Sequence, residues 1–189
     1  MSSRLVLNPR KYMITTSEPK QKPMQLAPIP ANEAERLQAV KKLGLLDTPP
    51  EERFDRITRA ATEQLRVPIS TISIIDEDRE WYKSCQGIDK KEGVRDISFC
   101  GHAMLSKIVY VVEDTLKDSK FADNPQVTDA PYIRFYAGVS LRHDVSQHAI
   151  GVLCVKDIKP RQLTPDELGT LLDLAKQAEV EINRAVNTF

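Results

Sequence analysis

The spacing of apolar residues predicts two helices near the start of the chain. Residues 33–43, and the segment that begins at Asp47-Thr48-Pro49-Pro50, carry apolar residues every three or four positions. That period is typical of a helix with one buried face. The predicted buried residues are Ala34, Leu37 and Val40 in the first helix, and Phe54, Ile57, Ala60, Ala61 and Leu65 in the second. Asn32 is a suitable N-cap for the first helix, and Gly44 a suitable end.

A third helix is predicted at the end of the chain. Thr164-Pro165-Asp166-Glu167 supplies an N-cap, a proline for the first turn and acidic side chains. A narrow apolar stripe of coiled-coil spacing follows, formed by Leu168, Leu171, Ala175, Ala178, Ile182, Ala185 and Phe189. This stripe fits two arrangements, packing on the chain's own sheet or on the same helix of a second copy.

Between these helices the pattern changes to that of strands. Residues 69–75 are β-branched and alternate, residues 80–85 follow a charged turn at 76–79, and the two segments predict a hairpin. Further strands are predicted at residues 108–112, 135–141 and 149–155, with a short helix after Ser98 and loops over residues 117–132. The sequence therefore predicts an α+β domain, with helices packed on an antiparallel sheet of five or six strands.

Composition and charge exclude several classes of protein. Lys and Arg number 27, as do Asp and Glu, so the basic excess of a nucleic-acid-binding protein is missing. No apolar run reaches the length of a membrane span, and the N-terminus lacks a signal peptide, so we expect a cytoplasmic protein. Residues 1–30 are rich in proline and polar residues, and we expect a disordered or extended tail before a domain at residues 31–189.

The three cysteines and three histidines offer little obvious chemistry. Cys85, Cys100 and Cys154 form no CxxC motif, and the simplest interpretation is three buried, reduced thiols. His143 and His148 flank a predicted turn, which is too loose a pair to predict a metal site. The sequence gives no reason to expect a metal, and it leaves any cofactor unknown.

Cys100-Gly101-His102 is the motif that most resembles a catalytic pair, because a nearby imidazole can generate a thiolate. On a helix, however, positions two apart point in different directions, which argues against catalysis. Arg134 beside Phe135 and Tyr136 is a second candidate, since an arginine next to aromatic rings can hold a flat or anionic ligand. Its alternative role is structural, with the guanidinium paired to an acidic residue of the loop, Asp123 or Asp129.

Taken together, the motifs resemble a bacterial GAF domain over about residues 32–186. The resemblance rests on these segments in order: ERL (35–37), LLDTPPEE (45–52), FD (54–55), DEDR (76–79), WYKS (81–84), DISFCGHA (96–103), FADNP (121–125), IRFYAG (133–138), IGVLCV (150–155) and PRQL (160–163). It implies a PAS-like antiparallel sheet with helices on one side and a loop-covered pocket on the other.

The resemblance also implies a function. GAF domains of this kind lie upstream of histidine kinases, diguanylate cyclases or phosphodiesterases, where they bind a small molecule and transmit a change through terminal helices. We therefore expect a regulatory sensor rather than an enzyme, a homodimer through its first and last helices, and an unknown small-molecule partner. The candidate ligand-binding residues are Cys100, His102, Phe121, Asp123, Arg134 and Tyr136.

Three other functions remain open. One is a cysteine-dependent redox enzyme of the free methionine sulfoxide reductase kind, although Cys85 and Cys154 fall in predicted strands rather than in mobile loops. Another is a ligand-free dimerisation module whose pocket is filled. Covalent attachment of a bilin chromophore is disfavoured, because Gly101 separates the cysteine and histidine that are adjacent in phytochrome-type domains.

Overall fold

A computed structural model describes residues 23–184, and its elements follow the predicted order. The helices are α1 (Glu33–Lys42), α2 (Glu52–Leu65), α3 (Phe99–Ala103), α4 (Pro125–Thr128) and α5 (Pro165–Arg184), with a 3-10 turn at Arg95–Ile97. The strands are β1 (Ile69–Ile75), β2 (Arg79–Gln86), β3 (Glu92–Val94), β4 (Tyr110–Val112), β5 (Phe135–Arg142) and β6 (Ala149–Asp157). In this part of the chain, no helix has both the length and the apolarity needed to cross a bilayer.

The six strands form one sheet in the order β3-β2-β1-β6-β5-β4, and each neighbouring pair is antiparallel. The predicted α+β class and the antiparallel sheet are therefore confirmed. The short strand β3 was not predicted, because Glu92, Gly93 and Val94 are too few and too exposed to show an alternating pattern.

Each face of the sheet is covered by different elements, because successive side chains of a strand point to opposite faces. Ile72 and Ile74 of β1 pack into the apolar core beneath α2 and α5. Thr71 and Ser73 occupy the alternate positions of the same strand, and they are fully buried as well. The opposite face, covered by α3 and the loops around α4, therefore has polar groups at its centre.

Helix α5 begins with the predicted cap. The backbone N–H of Glu167 donates to Thr164 Oγ1, and the backbone N–H of Thr164 donates to the Glu167 carboxylate. The described members of the stripe that are buried are Leu171, Ala175, Ala178 and Ile182, all in the core shared with α2. This part of the stripe packs within its own chain, while Ala185 and Phe189 lie outside the described residues.

The first two helices differ in detail from the prediction. In α1, Ala34 is exposed and Leu37 is half-buried, while Arg36, Ala39 and Val40 are buried. Arg36 is buried because its guanidinium pairs with Glu33 and donates to the carbonyl of Ile75. Helix α2 begins at Glu52, later than predicted, since the Thr48 hydroxyl caps no helix and donates instead to the carbonyl of Leu45.

Part of the predicted tail packs on the domain. Residues 1–22 lie outside the described residues, whereas residues 23–30 run without regular structure against α3. The N–H of Gln25 donates to the carbonyl of Lys120, and that of Ala27 donates to the carbonyl of Asp96. Ala27 is buried, and a Cβ atom on Gly101 would lie only 2.6 Å from its Cβ. Gly101 is therefore what lets this arm approach α3.

Candidate functional site

Four of the six predicted site residues meet beneath α3. Cys100 and His102 lie on α3, Tyr136 on β5, and Phe121 in the loop that precedes α4. The Tyr136 hydroxyl donates to Cys100 Sγ at 3.4 Å, and the His102 ring contacts the Phe121 ring edge-on, with centroids 4.9 Å apart. All four are buried, and His102 is the most accessible of them at 9%.

Aromatic rings fill much of this region. Phe99 stacks on Phe121 at 4.4 Å and on Tyr136 at 5.1 Å between centroids, and Tyr110 meets both Phe121 and Tyr136 edge-on. Such stacked and edge-on pairs add stability beyond the burial of their area. The rings thus form a packed layer that supports α3 against the sheet.

Cys100 and His102 do not act as a pair. His102 Nε2 contacts the carbonyl oxygen of Gln25 at 3.1 Å, in the N-terminal arm, and burial lowers the pKa of His102. Cys100 instead donates to Cys154 Sγ at 3.6 Å, on the side that faces the sheet. Side chains two positions apart on a helix point in different directions, which is why Cys100 and His102 have separate partners.

The remaining two predicted residues lie elsewhere. Asp123 is exposed in the loop before α4. Arg134 forms an ion pair with Asp114 at 2.9 Å, so the expected pairing with Asp123 or Asp129 was wrong. The register explains the partner, because Val112 of β4 faces Tyr136 of β5 and two further steps bring Asp114 opposite Arg134.

A cluster of polar side chains that the sequence analysis missed lies at the centre of this face. Its members are buried and project from three adjacent strands; they are Thr71, Ser73, Glu80, Cys154 and Lys156, and we call them the polar cluster. A signal was present in the sequence, since polar residues alternate with isoleucine in β1 and buried strands rarely carry such a pattern without cause.

Two members of the polar cluster have atoms without a hydrogen-bond partner among the described residues. These atoms are Nζ of Lys156 and Oε2 of Glu80, and both side chains are 0% exposed. The other oxygen of Glu80 accepts a hydrogen bond from the Tyr82 hydroxyl at 2.8 Å. Buried polar atoms are nearly always satisfied, so these two atoms make the polar cluster a candidate site.

The charges of the polar cluster influence one another. Burial opposes ionisation of Cys154, but the hydrogen bond from Cys100 and the positive charge of Lys156 outweigh it and lower the pKa of Cys154 to about 7. Burial likewise opposes the charged form of Lys156, yet the negative charges of Cys154 and Glu80 raise the pKa of Lys156 above its usual value. Burial raises the pKa of Cys100, which therefore stays protonated as the donor.

A surface groove lies beside Tyr82, the residue that donates to Glu80 of the polar cluster. It has a volume of about 620 Å³ and lies between the loop that links β2 to β3 and the segment around α4. Tyr82 forms part of its wall, and the hydroxyl of the same residue holds Glu80. Gly93 also lines the groove; a Cβ there would come within 2.9 Å of Glu80 Oε1. The groove and the buried cluster thus meet at Tyr82.

The comparisons with known proteins agree with this architecture. A protein of Pseudomonas aeruginosa, the cyclic di-GMP phosphodiesterase PA2567, is 41% identical over 138 residues. Those residues are 73% of this chain but only 23% of that protein, so the chain spans about a quarter of its relative.

Solved structures share the fold at low sequence identity. The GAF domain of a phosphoenolpyruvate-protein phosphotransferase from Coxiella burnetii has a TM-score of 0.58 at 14% identity, covering 84% of this chain and all of that one (100%). Free methionine-R-sulfoxide reductase from Neisseria meningitidis has a TM-score of 0.56 at 17% identity, covering 81% of this chain and 90% of that one. The sequence profile of the GAF domain matches residues 49–182, and the chain therefore belongs to the GAF domain family.

Proposed function

We propose that this GAF domain is a regulatory sensor that binds a small molecule in the groove and the polar cluster behind it. The observation that carries the proposal is the pair of orphaned charges, Lys156 and Glu80, buried next to a groove of ligand size. Of the residues predicted from sequence, Cys100 and Tyr136 fit this proposal best, because they are hydrogen-bonded together beside the cluster.

The terminal helices are placed to transmit a change at this site. Arg36 of α1 donates to the carbonyl of Ile75, at the end of a strand that carries Thr71 and Ser73. Helix α5 packs on α2 and on β5, the strand that carries Tyr136. Ligand binding that favoured one arrangement of the central strands would thereby bias the positions of both helices.

We further propose that the output is a linked enzyme of cyclic dinucleotide turnover or a histidine kinase. The support for the former is the relative named as a cyclic di-GMP phosphodiesterase, most of whose length lies beyond the matched segment. In this arrangement the GAF domain itself is not catalytic.

A homodimer through the terminal helices is also part of the proposal. Since Leu171, Ala175, Ala178 and Ile182 are buried in their own chain, the proposed dimer contact uses the outward face of α5, where Val180 is 43% exposed. Sedimentation of the full chain tests this contact: a dimer that Val180→Asp converts to a monomer supports it, and a monomeric wild-type chain overturns it.

Native mass spectrometry of the full chain, purified without denaturation, tests the sensor role. We expect the wild-type chain to retain a small molecule that is released on unfolding, and Lys156→Met to carry none. Equal retention of the molecule by the two proteins would place the ligand elsewhere. The proposal would be contradicted if the wild-type chain carried no molecule after purification and also bound none from a deproteinised cell extract.

One observation favours a second candidate, a thiol-dependent reductase. Cys100 and Cys154 hold their sulfur atoms 3.6 Å apart, so a disulfide could form between them with a small movement. Reduction of a sulfoxide would then oxidise the two thiols to the disulfide, and the sulfoxide oxygen would leave as water with both thiol protons. The assay measures consumption of free methionine sulfoxide. If this activity is lost in Cys100→Ser and in Cys154→Ser but kept in Cys85→Ser, the domain is this reductase rather than a sensor.

A further inference from the structure

Two thiols on the polar side of the sheet lie within reach of each other. Cys100 projects from α3 and Cys154 from β6, and their sulfur atoms are 3.6 Å apart. A disulfide bond holds two sulfur atoms about 2.05 Å apart, so each sulfur needs to move by less than about 1 Å to form one. Small rotations of the two side chains supply such a movement. The geometry therefore allows a bond between these cysteines without a rearrangement of the sheet.

The register of the sheet keeps the third cysteine out of this pairing. Cys85 of β2 and Cys154 of β6 both lie opposite Thr71, on either side of β1. Neighbouring strands are about 4.8 Å apart, so the backbones of these two cysteines are separated by about 10 Å. Cα atoms more than about 7 Å apart are not bridged by a disulfide unless the backbone moves. Cys100 is thus the partner that the fold provides for Cys154.

The surroundings of Cys154 favour its reactive form. Its sulfur contacts the Thr71 hydroxyl at 3.1 Å and accepts the hydrogen bond from Cys100. These contacts and the positive charge of Lys156 outweigh burial and lower the pKa of Cys154 to about 7. About half of the molecules therefore carry a thiolate there at neutral pH, and the thiolate is the nucleophilic form. Cys100 stays protonated, because burial raises its pKa, and is placed to react second.

Burial of the pair selects the size of the oxidant. Both cysteines are 0% exposed, and α3 covers the sheet at this point. A bulky oxidant such as glutathione disulfide would require the cover to unfold. Hydrogen peroxide is little larger than water and requires only a brief local opening of α3, a helix of five residues. We propose that Cys100 and Cys154 are a modification site, which hydrogen peroxide oxidises reversibly to an intramolecular disulfide.

The reaction balances with peroxide as the oxidant. The Cys154 thiolate attacks one peroxide oxygen, the O–O bond breaks, and the sulfur becomes a sulfenic acid while the other oxygen leaves as hydroxide. The sulfur of Cys100 then attacks the sulfur of Cys154, so the S–S bond forms and the S–O bond breaks. The sulfenic hydroxyl leaves as water with the thiol proton of Cys100. Two thiols and one peroxide thus become a disulfide and two waters, and an added dithiol reverses the change.

The disulfide acts on the N-terminal arm through the neighbours of Cys100. Gly101 makes room for Ala27, and His102 Nε2 contacts the carbonyl oxygen of Gln25 at 3.1 Å. Drawing Cys100 towards β6 moves this turn of α3 away from the arm. The oxidised domain therefore holds the arm less tightly, and this response needs no ligand in the groove.

The test treats the full chain with hydrogen peroxide, after reduction by a dithiol that is then removed. We expect the intact mass to fall by about 2 Da, for the two hydrogen atoms lost. The thiols that can be alkylated after unfolding should fall from three to one, and peptide mapping should find Cys100 joined to Cys154. Added dithiol should restore the original mass. Hydrogen exchange at the backbone N–H of Gln25 and Ala27 should be at least about threefold faster in the oxidised chain.

Three variants assign these changes to the pair. Cys100→Ser and Cys154→Ser should show neither the loss of mass nor the faster exchange. Cys85→Ser is the matched control and should show both. Circular dichroism confirms that each variant folds. The proposal is overturned if all three wild-type thiols survive peroxide, if one cysteine only gains oxygen, or if the disulfide forms through Cys85.

A parallel reaction separates this site from the reductase, since both use the same two thiols. The reduced chain is treated with free methionine sulfoxide in place of peroxide. A disulfide that forms with peroxide but not with the sulfoxide supports the modification site. A disulfide that the sulfoxide forms as fast as peroxide does assigns the pair to the reductase and overturns the modification site.

Discussion

At the scale of single residues, the domain buries several charged side chains. Lys156 and Glu80 are buried on strands that flank β1, opposite Ile69 and Ile75, and Arg36 and Arg95 are buried near the Ile75 end of the sheet. Buried charges are tolerated only when they are paired, hydrogen-bonded or engaged by a ligand. The two arginines share the carboxylate of Glu33, while Lys156 Nζ and Glu80 Oε2 have no hydrogen-bond partner among residues 23–184.

The charge of Lys156 should be visible in the ionisation of Cys154. Replacing Lys156 by Met removes the positive charge that favours the thiolate, so we predict that the pKa of Cys154 rises from about 7. Ultraviolet absorbance of the thiolate, followed against pH, measures the midpoint. Lys176→Met is the control, and an unchanged midpoint in Lys156→Met would show that Lys156 does not act on this thiol.

Glu33 should make stability depend on pH in the acid range. Burial opposes its ionisation, but the hydrogen bonds from Arg36 and Arg95 outweigh it and lower the pKa of Glu33 from 4.5 to about 2. Its contribution to the free energy of unfolding is therefore complete above about pH 4.5 and lost as the pH falls towards 2.

We accordingly predict that Glu33→Gln lowers the free energy of unfolding at neutral pH by roughly 2 kcal/mol, after allowance for solvent screening. The difference from wild type should shrink below pH 4.5. Urea unfolding at several pH values measures it, with the exposed Glu63→Gln as control. A difference that stays constant down to the lowest pH would contradict the assignment.

Only part of the site could be predicted from the sequence at this scale. Cys100 and Tyr136 stood out because they belong to conspicuous local motifs. Glu80 and Lys156 did not, since each lies near the end of a strand, where a charged residue usually marks the boundary with solvent. Their burial depends on the covering by α3 and distant loops, which local patterns do not reveal.

At the scale of elements, the apolar stripe of α5 was compatible with two interfaces, of which the structure shows one. The stripe indicated either intramolecular packing or a dimer seam, and the structure buries Leu171 and Ala178 against the domain's own core. Strands β1, β2, β5 and β6 were predictable because each is a run of seven to nine residues rich in apolar, β-branched or aromatic side chains. Strand β3 was not predictable, because it depends on pairing with β2. The later start of α2 was not predictable either, because it depends on the turn at Thr48.

The packing of α5 has a direct consequence for stability. We predict that Leu171→Ala lowers the free energy of unfolding by about 2–4 kcal/mol, because it leaves a cavity in the core. Leu116→Ala is the matched control, since Leu116 is 46% exposed, and it should change stability by less than about 0.5 kcal/mol. Urea unfolding measures both. Similar losses in the two variants would argue against the observed burial of α5.

The N-terminal arm can be tested with two glycines that both lie in helices. In Gly101→Ala the new methyl group would collide with Ala27, so we predict faster hydrogen exchange at the backbone N–H of Gln25 and Ala27. In Gly169→Ala the methyl group meets nothing within 4 Å, and the helix should gain up to about 1 kcal/mol. Unchanged exchange in Gly101→Ala would show that the arm does not pack on α3.

At the scale of the whole molecule, the two faces of the sheet differ in chemistry. One face is an apolar core that fixes α2 and α5, and the other is a partly polar face whose Glu80 is held by Tyr82, a residue of the groove wall. Strand β1 belongs to both, because Ile72 and Ile74 point to the core while Thr71 and Ser73 point to the polar cluster. A ligand on the polar face would thus be separated only by the sheet from the helices on the apolar face.

The crystal structure of the full chain, purified without denaturation, tests the central claim most directly. The account predicts electron density for a small molecule that contacts Lys156 Nζ or Glu80 Oε2. The contrary result is a closed interior, in which these two atoms pair directly with each other or are bridged by water alone.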